Sequence, residues 1–188
     1  VWVNGTLHMS DAVIVTQDTL AALDGLFSPP LRETWVAEMR REITPINNEF
    51  ICLGVKADLG ARPSSMVFPL DTPLQVGAYS YDTIGCNSYA KYEGYAPVGC
   101  ASLTCIFGQD NYAMWKAAKE DGTYSEKKAK LAEAVIDSLA HLLPETAGKV
   151  ELWDVATPLT YEKYCGSWHG SWMSVMKPNV KTQQYPCK

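Results

Sequence analysis

From Ser125 onward the chain repeats apolar residues at Leu131, Val135 and Leu139, with Ala134 and Leu142 beside them. Glu126, Lys127, Lys128, Lys130 and Glu133 fall on the other side. Such a stripe predicts one long amphipathic helix, stable only when its apolar face is laid on something. Strand-like runs supply that something. Residues 49–56 carry Phe50-Ile51-Cys52-Leu53-Gly54-Val55, and residues 98–109 form a second run of the same kind. The chain is therefore confined to helices packed on a sheet.

The other elements extend this pattern. Residues 1–9 read as a hairpin, because Asn4-Gly5 between Trp2-Val3 and Leu7 is a strong two-residue turn signal. That reading makes the Asn4-Gly5-Thr6 glycosylation sequon incidental. Asp11-Ala12-Val13-Ile14-Val15-Thr16 reads as a buried strand, its apolar residues running without alternation. Asp18 can cap a helix carrying Leu20, Leu23, Leu26 and Phe27. Ser28 then caps a second helix, opened by Pro29 and Pro30 and striped by Leu31, Trp35, Met39 and Ile43, which ends at Thr44-Pro45. Ser65-Met66-Val67-Phe68-Pro69-Leu70 predicts a strand, and Pro69 sets it at its end or at a sheet edge.

Further along, Asp110 can cap a helix bearing Met114 and Trp115 and broken by Gly122. Val150-Glu151-Leu152-Trp153-Asp154-Val155 alternates as a half-buried strand. Thr157-Pro158 then caps a short helix ending near Gly166. The order β, α, α, β, β, β, α, α, β, α predicts an α+β (mixed α/β) domain, a mixed β-sheet flanked by helices.

Composition narrows the function. The 188 residues are 47% hydrophobic and 20% charged, enough for one sizeable core. With 16 basic and 21 acidic residues the net charge is −5 and no cationic stripe exists, so a phosphate backbone is repelled and no nucleic-acid partner is expected. The apolar runs fall far short of the roughly 20 residues a membrane span needs. Residues 1–5 lack the basic start and apolar stretch of a signal peptide, and Val1 in place of Met suggests that the sequence begins inside a longer protein. The six cysteines contain no C-x-x-C pair and read as small buried hydrophobes in a reducing, cytoplasmic setting.

No phosphate-cradling glycine loop, zinc-protease motif or nucleophile elbow occurs, and His8, His141 and His169 are too scattered for a histidine-rich metal site. No metal is expected, and no catalytic residue is assigned. His169 lies in Gly166-Ser167-Trp168-His169-Gly170-Ser171-Trp172, where paired aromatics among small residues suit either a flat ligand or an ordinary loop. Tyr79, Tyr81, Tyr89, Tyr92 and Tyr95 likewise either line a site or pack.

Glu151-Leu152-Trp153-Asp154-Val155-Ala156-Thr157-Pro158-Leu159-Thr160, followed by Tyr164, Gly166 and Gly170-Ser171-Trp172-Met173, resembles the D-x-x-T-P-x-T stretch of phytoene desaturase-like FAD-dependent oxidoreductases. Carotenoid isomerases and retinol saturases belong to that amine oxidase-related group. The run from Asp11 to Thr19, with the hairpin ahead of it, is similar to the strand and turn by which such chains return from the flavin domain.

The resemblance implies that residues 1–25 are the edge of the FAD-binding domain and residues 26–176 a substrate-binding domain. Residues 177–188 become a polar tail leading to a missing C-terminal FAD segment. It implies hydride transfer between flavin and an apolar, isoprenoid- or polyene-like substrate, with Thr157, Thr160, Tyr164, Trp168, His169 and Trp172 nearest substrate and Thr16, Gln17 and Asp18 nearest the cofactor. The family's N-terminal dinucleotide fingerprint and glycine-rich C-terminal segment are absent from this sequence, so FAD is expected on the full-length parent and not on these residues alone. Implied partners are the remaining FAD-binding domain and a membrane surface that the parent approaches. The rival expectation is a stand-alone α+β module whose tyrosine-rich segment holds a small apolar ligand without flavin chemistry.

Overall fold

The structure, a computed structural model, describes residues 1–172 together with the backbone of residues 175–176. The chain begins with a hairpin, β1 (Trp2–Val3) and β2 (Thr6–Leu7), turned by Asn4 and Gly5, both at positive φ as the turn signal requires. Two helices follow, α1 (Thr19–Gly25) and α2 (Thr34–Glu42). The Asp18 carboxylate accepts from the Leu20 and Ala21 amides at 3.1 Å each, capping α1. Leu20 and Leu23 of α1 pack with Val36 and Met39 of α2 and with Ile43, and Trp35 and Trp168 lean on this small core.

The larger unit is an antiparallel sheet. After β3 (Thr44–Pro45) come β4 (Glu49–Val55), β5 (Ser65–Val76), β6 (Tyr79–Ser88) and β7 (Ala101–Phe107). The helices α3 (Tyr112–Glu120) and α4 (Tyr124–Leu142) lead to β8 (Val150–Ala156) and α5 (Pro158–Cys165). The spatial order is β5-β6-β7-β4-β8, and β3 pairs with a short β9 (Val175–Met176).

Register explains the core. Ile51 lies opposite Cys105 and Val155, Leu53 opposite Leu103, and Cys86 opposite Cys105, so these side chains share one face. Against it lie Trp115 of α3 and Leu131, Val135 and Leu139 of α4, all buried. Each such aliphatic side chain contributes about 1.5–3 kcal/mol of transfer free energy, which is why α4 forms where its stripe predicts.

The α+β class with helices against the sheet is as expected, but every strand pair is antiparallel rather than mixed. The reason lies in the connections: β5 to β6 is a hairpin, and β7 returns to β4 beside it without a parallel crossover. Three local expectations also change. Residues 11–16 are not a buried strand; Ile14 is 90% exposed, because no strand among the described residues lies beside them to take their backbone hydrogen bonds. The second helix starts at Thr34 and not near Ser28, since a residue before proline is driven from helical geometry and Pro29-Pro30 imposes this twice. Leu31 instead reaches the α1–α2 core from extended chain. The strand at Ser65 passes Pro69 through a register shift and runs to Val76, with Pro69 on the edge strand as anticipated.

Among the cysteines, Cys86 and Cys105 are buried free thiols, whereas Cys165 is exposed. The burial expectation therefore fails at Cys165. Cys187 and the tail at residues 177–188 lie outside the described residues. Among those described, no helix is long and apolar enough to cross a membrane.

Candidate functional site: the open face of the sheet

The second face of the sheet is less covered, with Phe50, Cys52 and Gly54 partly exposed. Phe50, Cys52 and Gly54 alternate with the buried residues of β4. Register places Ile106, Thr104 and Ser102 of β7 beside them on one side, and Ala156, Asp154 and Leu152 of β8 on the other. All of these but Ile106 and Ala156 line an open trough of about 640 Å³, walled at one end by Tyr89 and Tyr95. Leu152 is 72% exposed and Val67, farther along the same sheet, 70%. Exposed apolar side chains grouped on one face are a candidate for ligand or partner contact.

Local structure shapes the trough. A Cβ on Gly54 meets the Leu152 Cβ at 3.3 Å, so glycine lets Leu152 lie across β4. Tyr89 and Tyr95 stack with ring centroids 5.3 Å apart and planes within 8°, and Tyr92 leans on both, which builds a rigid aromatic wall from the loop after β6. Tyr81, by contrast, points into the core and meets Phe107 edge-on at 5.0 Å. The tyrosines thus split between lining and packing.

The thiol on this face is not activated. Burial, and then the charge of Asp154, push the Cys52 thiol above its ordinary value, so it is a neutral thiol and a poor nucleophile. Among the described residues the one strongly buried carboxyl group, Glu49, sits on the opposite face. Its Oε1 accepts from Trp115 Nε1 at 2.8 Å and from Asn111 Nδ2 at 2.9 Å, and burial raises its pKa. Among the described residues no group of three or more His, Cys, Asp or Glu side chains could hold a metal ion.

The residues expected beside substrate fall elsewhere, in two groups. Thr157 is fully buried and, with Thr160, forms a capping box at the start of α5; the Thr160 hydroxyl accepts from the Thr157 amide at 3.0 Å. The Thr157 hydroxyl also bonds the Tyr124 hydroxyl at 2.7 Å. Tyr164 is exposed at the other end of α5. The second group follows the helix: His169, at φ +48°, is stacked between Trp168 at 4.2 Å and Tyr112 at 4.7 Å, while the half-exposed Trp172 donates its amide to the Ile46 carbonyl. None of the six borders the open trough.

Thr16 and Gln17 are exposed on the extended run, and the Asp18 carboxylate is occupied as the α1 cap. Gln17 borders a groove of about 400 Å³ lined mainly by apolar side chains such as Leu23, Phe27 and Trp35, with Glu33 as its charged member. A dinucleotide pyrophosphate needs cations or free backbone amides, and this groove supplies a carboxylate. These residues do not make an FAD site by themselves.

Sequence reasoning missed the trough. Its signal was available in β4, where apolar residues occupy both parities, Phe50 and Cys52 as well as Ile51, Leu53 and Val55. Such a strand has two faces to cover, and here helices cover one. No family model matches the chain, and no curated protein matches it.

Proposed function

We propose that this chain is the substrate-binding part of an FAD-dependent oxidoreductase of the phytoene desaturase-like kind, a desaturase, isomerase or saturase, with the open sheet face as the floor for an apolar, isoprenoid- or polyene-like substrate. The observation that carries this reading is the trough itself: a long, open, largely apolar surface backed by a rigid sheet, walled by stacked tyrosines. It suits an extended hydrocarbon better than a compact polar metabolite. Phe50, Leu152 and the tyrosine wall exclude water from such a substrate, Cys52 and Thr104 present neutral groups to it, and Asp154 is the charged group on the lining. When bound to the remaining FAD-binding domain of a full-length, cytoplasmic parent, the flavin supplies the hydride chemistry. The apolar run at residues 12–15 supports a neighbouring domain, because the exposed Val13 and Ile14 suit contact with more chain.

A stand-alone module that holds a small apolar ligand without flavin uses the same trough, and Tyr89 and Tyr95 on its wall favour it equally. The visible absorption spectrum separates the two readings. Protein purified from the complete reading frame is expected to show a flavin spectrum, and these 188 residues alone to show none. A colourless complete product that takes up no added FAD transfers the assignment to the stand-alone module.

A further inference from the structure

We propose that a second site, beyond the edge strand β8, binds the phosphate group of a small-molecule phosphate or diphosphate ester. A cavity of about 300 Å³ lies where α3, α4 and α5 meet. Three lysines line it, Lys119 from α3, Lys128 from α4 and Lys163 from α5, together with Thr160 and Tyr164. In a chain of net charge −5, this convergence of three cations from three separate elements is a local inversion of sign.

The lysines are held in place. Lys119 and Lys128 both sit over the Tyr124 ring, with Nζ 5.3 and 5.7 Å from its centroid, and Lys163 sits 4.8 Å from the Tyr164 centroid. Aromatic faces hold an ammonium while removing part of its water, and the Lys128 side chain is only 20% exposed. The single carboxylate at the cavity, Asp154, reaches Lys128 at 3.3 Å but is itself mostly exposed. Among the described residues neither Lys119 nor Lys163 has a carboxylate within ion-pair distance. Three cations facing one carboxylate leave about two positive charges uncompensated, which matches a phosphate or diphosphate. Lysine recognises such a group as a point charge and tolerates variation in the rest of the ligand.

Asp154 borders both this cavity and the open trough. An ester whose head occupies the lysine cavity can therefore lay its chain on the sheet face. The head site stands independently of what occupies the trough.

Calorimetric titration of the 188-residue chain with inorganic pyrophosphate tests this. Saturable binding is expected, weakened about tenfold or more in the double variant Lys119→Gln, Lys163→Gln and unchanged in Lys91→Gln, which lies in the distant tyrosine loop. Asp154→Asn removes the opposing carboxylate and is expected to tighten binding about threefold or more, a gain that misfolding cannot produce. Absence of saturable binding, or equal affinity in the parent chain and the double variant, overturns the proposal. Association with phosphatidylglycerol vesicles without affinity for pyrophosphate also overturns it, because the lysines then read a membrane surface.

Discussion

Replacing Glu49 by alanine is expected to lower the unfolding free energy by about 3–5 kcal/mol, because the buried Trp115 Nε1 loses its acceptor and Asn111 Nδ2 keeps only its long bond to the Val76 carbonyl. Trp115 Nε1 and Asn111 Nδ2 both donate to Glu49 Oε1, and Glu49, Trp115 and Asn111 are all buried. Glu49→Gln keeps an oxygen acceptor at that place and removes the charge, so it separates the hydrogen bonds from the ionisation. Burial raises the Glu49 pKa above its ordinary value of 4.5, so the folded state holds its proton to higher pH than the unfolded chain does. Stability from this group is therefore fully present below about pH 4.5 and is lost as pH rises through the folded pKa. The parent chain is expected to lose stability across that window while Glu49→Gln does not, so the glutamine variant gains relative to the parent as pH rises. Urea unfolding between pH 4.5 and 8 reads this, and identical slopes for the two proteins count against a carboxyl group shifted by burial.

Gly170→Ala has the second large effect. Gly170 is at φ +68°, and a Cβ there overlaps the Pro158 carbonyl oxygen, a backbone atom that cannot swing aside. The cost is expected to reach about 3 kcal/mol or more, since steric overlap adds to the left-handed penalty. Gly166, at φ +63°, meets nothing within 4 Å, so Gly166→Ala pays only the conformational term, about 1 kcal/mol. Urea denaturation of the pair is the check, and equal losses contradict a close approach of residues 168–170 to the start of α5. The same approach seats Trp168 against His169 and the α1–α2 core, so its fluorescence is expected to shift in Gly170→Ala and to stay put in Gly166→Ala.

These two positions show what the sequence makes legible. The N-cap at Thr157, the stop at Gly166 and the α4 stripe are local signals, carried by neighbours in the chain, and each forms where it is expected. Pairings between distant residues are not local. Glu49 meets Asn111 and Trp115 more than sixty residues away, and nothing in its own segment, a short apolar run, announces a buried carboxyl group. The lysine cavity gathers Lys119, Lys128 and Lys163 from three helices whose relative placement depends on the sheet beneath them. The run at residues 12–15 misleads for a related reason: its apolarity is real, but burial needs a partner, and the described residues contain none. Thr157 and Trp168, expected beside substrate, are used for a cap and for packing, uses that a short motif cannot distinguish from ligand contact.

The open face of the sheet is expected to hold an extended apolar ligand. Titration of the 188-residue chain with retinol, followed by quenching of tryptophan emission, tests it directly, because Trp153 borders the trough. Leu152→Asp places a charge on the exposed floor without disturbing the core. Saturable quenching by retinol, weakened about tenfold or more in Leu152→Asp, is the expected result. Quenching that never saturates, or that is the same in both proteins, contradicts the claim.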